Sequence, residues 1–168
     1  MIKIGKNISS FSTYSCQPTN KKELKQIIIK RIDEEGPNCD LNDIDTSLII
    51  DMSSLFYESS FNGNISRWNV SKVTNMGFMF AESRFNQDIS EWNVSNVVVM
   101  TGMFARSQFN GNISNWDISN VKSMIHMFRE SKFNQDISNW KINKKCTIIH
   151  MFVSCDINKK FKPKSLES

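Results

Sequence analysis

The sequence predicts an α/β repeat solenoid: short strands stacked in parallel on one side, short helices on the other, and an amphipathic helix closing the N-terminal end. Three observations predict it. Phe61, Phe85, Phe109 and Phe133 stand 24 residues apart, and so do Trp68, Trp92, Trp116 and Trp140. A fixed period of this length marks a stacked array. Within each unit, one part has β-branched and aromatic residues between turn formers, and another has apolar residues at i, i+3 and i+4. Finally, the stretch TNKKELKQIIIKRIDEEGPN precedes the array and reads as a terminal helix.

Taken in order, residues 1–18 alternate at Ile2 and Ile4 before a Ser-rich run, which suggests one strand. The helix comes next. Asn20 and Glu23 fit a capping box, Leu24, Ile27, Ile28, Arg31 and Ile32 keep helical spacing, and Gly36-Pro37 ends the pattern. Its apolar face would cover the exposed end of the first repeat while its charged face meets water. Setting NCDLNDIDTSLIIDMSSLFYES beneath NGNISRWNVSKVTNMGFMFAES places Leu41 under Ile65, Ile44 under Trp68, Ile49 under Val73, Met52 under Met76 and Phe56 under Phe80. This is a degenerate first repeat. The same columns run on to Ile148, Met151 and Phe152, so the chain divides into an N-terminal cap (1–36), about five repeats (37–155) and a basic tail (156–168).

Inside a unit, NGNISRWNV is expected to be a short strand with Ile65, Trp68 and Val70 facing inward. Met76, Met79, Phe80 and Ser83, recurring as Met100, Met103, Phe104 and Ser107, predict a helix of about two turns. Asp51 and Asn75 would cap it. One unit alone cannot offset the entropy of ordering its backbone, so neighbouring repeats must supply the remaining contacts.

The units FNQDISEWNVSNV and FNQDISNW, with MTGMF and its variants, resemble the repeat of the BspA-like leucine-rich-repeat surface proteins of bacteria over residues 37–155. The resemblance implies a leucine-rich-repeat-like, right-handed stack used in adhesion or protein binding. It carries over no catalytic residues. Family members are often found at the cell surface.

Composition excludes several classes. No run of about 18 apolar residues occurs, so no membrane span is expected. The first residues, MIKIGKNISS, hold no apolar stretch of signal-peptide length, which points to the cytoplasm. Cys16, Cys39, Cys146 and Cys155 form no CxxC pair and read as reduced, mostly buried thiols. Net charge is +4, unevenly spread: residues 41–140 carry −3, whereas residues 141–168 carry +5 through Lys141, Lys144, Lys145, Lys159, Lys160, Lys162 and Lys164. This basic end could meet phosphate, but only Phe161 is interleaved for stacking, so nucleic acid is the lesser reading.

The Phe, Trp and Met columns fill an interior rather than a cofactor site, and Asn62, Asn86, Asn110 and Asn134, with Ser59, Ser83, Ser107 and Ser131, read as structural turn ladders. The sequons at Asn7, Asn64, Asn69, Asn93 and Asn112 mostly follow from the repeat itself. His126 and His150 share a column with Ser54, Phe78 and Gly102, but two ligands make a weak metal site. No nucleophile, base and phosphate loop converge, so no enzyme, metal or cofactor is expected. Next to the inward Ile of each strand lie Asn64, Asp88, Asn112 and Asp136, then Ser66, Ser90, Ser114 and Ser138, then the most variable set, Arg67, Glu91, Asn115 and Asn139. Alternation would turn these toward an exposed strand face. The function expected is a non-enzymatic scaffold binding a protein partner through that face or the basic end, in one version an inhibitor, immunity or counter-defence protein. Adhesion is the alternative, nucleic-acid binding the second, and a monomer is expected.

Overall fold

The computed structural model describes residues 14–166; the strand expected around Ile2 and Ile4 lies outside them. Among the described residues there is one α-helix, α1 (Lys21–Glu35). Asn20 caps it, its side chain accepting the Glu23 amide at 3.0 Å. The return half of the capping box shifts by one residue: the Glu23 carboxylate accepts the Thr19 amide at 2.8 Å, not that of Asn20. Gly36, at φ +89°, ends the helix and donates its amide to the Ile32 carbonyl. Leu24 and Ile28 are buried in the common core. Arg31, although at apolar spacing, pairs with Glu35 at 2.6 Å and Asp43 at 3.0 Å.

The repeats are not strand and helix, and the molecule is not an α/β repeat solenoid. Among the described residues there is no strand, and pairing shrinks to isolated parallel bridges: one joins Cys16 to Ile44, and the others run through Asp51, Asn75, Val99, Ser123 and Thr147, one residue per repeat. The expected strand bends at every few residues. Asn64 and Asn69 each capture the amide two positions on, at 3.1 Å, and the Trp68 and Val73 amides close turns onto Ile65 and Val70. An Asn-x-Ser sequence offers the backbone a local partner and so competes with ladder pairing.

The expected helix fails for a different reason. Its inward residues Met76, Met79, Phe80 and Ser83 are all buried, but they lie on successive four-residue turns. Phe78 and Glu82 have φ of 56° and 55°, as do the equivalent His126 and Glu130 at 57° and 55°. Left-handed residues cannot continue a right-handed helix. Alternate amides then divide the work. Those of Met79 and Ala81 close their own turns at 3.2 Å, while those of Met76, Phe78, Phe80 and Glu82 reach the carbonyls of Val99, Thr101, Met103 and Ala105 at 2.8–2.9 Å. Spacing of i, i+3, i+4 fits a run of turns as well as a helix, so the apolar pattern is kept while the hydrogen bonds go elsewhere.

The core is a double column of rings. Phe56, Phe80, Phe104, Phe128 and Phe152 stack at 5.5–5.8 Å between centroids. Phe61, Phe85, Phe109 and Phe133 form the second column at 6.2–6.3 Å. The tryptophans lie tilted beside the first, and each indole N–H donates to a carbonyl of the previous unit: Trp68 to Leu41, Trp92 to Ile65, Trp116 to Ile89 and Trp140 to Ile113. Asparagines form a second inter-repeat ladder. The Asn62, Asn86, Asn110 and Asn134 side chains accept the amides of Asn86, Asn110, Asn134 and Asn158 at 2.8–2.9 Å. The four thiols are free, Cys39 buried and the others half-buried. Among the described residues no helix is long and apolar enough to cross a membrane.

Candidate functional site

The variable columns do come together, on an edge of turns instead of a strand face. Asn64, Asp88, Asn112 and Asp136 are exposed, and each side chain accepts the amide of Ser66, Ser90, Ser114 or Ser138 at 2.9–3.1 Å. Their first duty is therefore to close turns. These amide bonds hold the Asp88 and Asp136 carboxyls below the usual aspartate value, so both stay charged. Arg67, Glu91, Asn115 and Asn139 follow on the same edge, exposed. Two shallow clefts open there. One, of about 290 Å³, is lined by Ser66, Arg67, Asp88, Ser90 and Glu91. The other, of about 300 Å³, is lined by Asn112, Ser114, Gln135, Asp136 and Asn139.

The basic residues fall into two groups. Lys141, Lys144 and Lys145 are exposed on the loop after Trp140, while Lys159, Lys160, Lys162 and Lys164 lie on and around two short 3₁₀ turns, Lys159–Phe161 and Lys164–Leu166. Lys160 sits 5.0 Å from the Phe161 ring centroid and Lys162 5.3 Å from that of Phe152. The Lys162 ammonium group lies over Phe152, the last ring of the first column, and Phe161 is itself partly buried against the core, so part of the basic tail packs there.

A third cleft, of about 210 Å³, was not visible from residue types alone. It lies on the run of turns that replaced the expected helix. The histidine column belongs to it: Phe78 and His126 form one wall, with Gly102 between them, and the His126 and His150 rings stack at 5.5 Å. Tyr57, Ala81, Ala105 and Arg129 occupy the neighbouring column, then Glu82 and Arg106 the next. The Glu82 and Glu58 carboxylates act on the Tyr57 phenol, Glu58 most strongly, and push its pKa up. No group of three His, Cys, Asp or Glu side chains among the described residues converges as a metal site would require. The signal for this cleft was in the columns: Ala81, Ala105 and Gly102 are small where neighbouring repeats carry Tyr57, Arg129, Phe78 and His126.

The repeats also decide the family. The family described as "Mycoplasma protein of unknown function, DUF285" matches residues 24–130 and again residues 105–164. The chain belongs to this family. The two matches overlap by about one repeat, as expected where any unit can take any place in the register. Neither a curated protein nor a solved structure matches the chain.

Proposed function

We propose that this member of the family is a non-enzymatic scaffold that binds a protein partner along the turn edge bearing Arg67, Glu91, Asn115 and Asn139. The supporting observation is the division of labour within one register. The buried columns are nearly invariant from unit to unit, whereas the position after each Asx-Ser turn changes from Arg67 to Glu91 to Asn115 and Asn139, all exposed and beside two clefts. A scaffold that varies only outward-facing side chains is built for recognition. In this reading the partner is blocked by surface occlusion, as an inhibitor or counter-defence protein would act. The resemblance of FNQDISEWNVSNV to BspA-like surface proteins supports adhesion as the second reading. The test is cross-linked capture from the native cell with wild type and with Arg67→Glu/Glu91→Lys. Loss of a partner on double charge reversal is expected, and an identical partner list would remove this edge as the site.

A further inference from the structure

Beyond this edge, we infer that the third cleft is a separate socket for one aromatic side chain of a protein partner. Its shape comes from departures in an otherwise periodic surface. Ala81 and Ala105 stand between Tyr57 and Arg129 in one column and leave an apolar floor. In the next column Gly102 stands between Phe78 and His126. The Phe78 ring lies across Gly102 so closely that a Cβ there would collide with the ring. Gly102 is thus the residue that lets this ring lie flat as a wall.

The charges on the rim argue against a charged occupant. Arg106 pairs with Glu82 at 3.4 Å and with Glu130 at 2.8 Å, and Arg129 pairs with Glu130 at 2.9 Å. Both guanidinium groups are already matched by carboxylates of this chain. A phosphate or carboxylate would have to displace them, so a nucleotide is disfavoured. What is left unmatched is apolar: Tyr57 and Phe78 are each 43% exposed, and between them the cleft is lined by Ala105, half-buried, and Ala81, buried. The volume, about 210 Å³, is below the range of pockets that enclose whole small ligands and suits a single side chain. Ring walls and planar guanidinium edges favour an aromatic insert over an aliphatic one, and buried aromatic anchors of this kind carry much of the energy of protein interfaces.

The experiment is selection of a displayed random-peptide library on the folded chain, followed by calorimetry with the recovered peptides. Peptides sharing one aromatic residue are expected. Ala105→Leu, which fills the floor, and Phe78→Ala, which removes an exposed wall, should each weaken them by about tenfold or more, with the thermal midpoint confirming the fold. Arg67→Glu/Glu91→Lys should leave their affinity unchanged, which separates this socket from the turn edge. Recovery of no binder, recovery of peptides without aromatic residues, undiminished binding to both cleft variants, or binding of adenosine monophosphate in their place would each overturn the proposal.

Discussion

The central repeats and the last turn of the stack use the same residues in the same register and end in different states. In the centre, Phe80, Phe104 and Phe128 are fully buried, and the amides at Met100, Gly102, Phe104 and Arg106 all meet carbonyls of the next unit. At residues 147–155 the pattern repeats, yet Phe152 is only half-buried, Ile149 and Val153 are 55% and 41% exposed, and among the described residues no carbonyl receives the amides of Ile148, His150, Phe152 and Ser154. The opposite end is closed, because α1 lays Leu24 and Ile28 into the core there. A repeat here owes its order to having a neighbour on each side more than to its own sequence.

The largest expected effect tests that difference directly. Phe104→Ala or Trp92→Ala should cost about 3–5 kcal/mol in urea-unfolding free energy, while Phe152→Ala, with one side already open, should cost about half as much. Equal losses would break the distinction between centre and end. Next comes a rung of the asparagine ladder: Asn86→Ala leaves the Asn110 amide without its acceptor and should cost about 1 kcal/mol. A change near zero would show that water replaces the rung. The smallest effect belongs to the closed end. Burial raises the Asp43 carboxyl, but the Ser15 hydroxyl and the Arg31 guanidinium together outweigh it and hold the group below its ordinary 3.8. A folded value below the unfolded one stabilises fully at neutral pH, and that contribution is lost as the pH falls through the folded value. Acid should therefore weaken the α1 contact by less than about 1 kcal/mol, and Asp43→Asn should remove this part of the pH dependence of unfolding.

Much of the interior was legible because it is written periodically. The Phe, Trp and Met columns and α1 with its Asn20 cap follow from spacing and residue type. The local conformation was not. A helix and a train of turns bury the same i, i+3, i+4 positions, and no residue type announces a positive φ at Phe78, Glu82 or His126; Gly102 was the single hint. The strand expectation failed where Asn64 and Asn69 close turns, a competition visible in the Asn-x-Ser repeats but decided by geometry. The exposure of Arg67, Glu91, Asn115 and Asn139 followed from their place in the register, but they lie on turns and not on the expected strand face. The aromatic cleft was missed because small residues were weighed one column at a time.

The ladders have a further consequence, for how the chain reaches this state. Nearly every inter-repeat bond joins residues 22 to 27 positions apart, from the asparagine rungs to the tryptophan N–H groups. Loop-closure entropy depends on loop length, so each closure along the stack costs about the same, and once one pair of units has docked the next adds a full set of rungs at a single closure. Folding on this scheme starts in any adjacent pair and spreads outward like a zipper. Inserting one residue between Phe85 and Phe109 would then stop its progress at that seam and divide one cooperative transition into two.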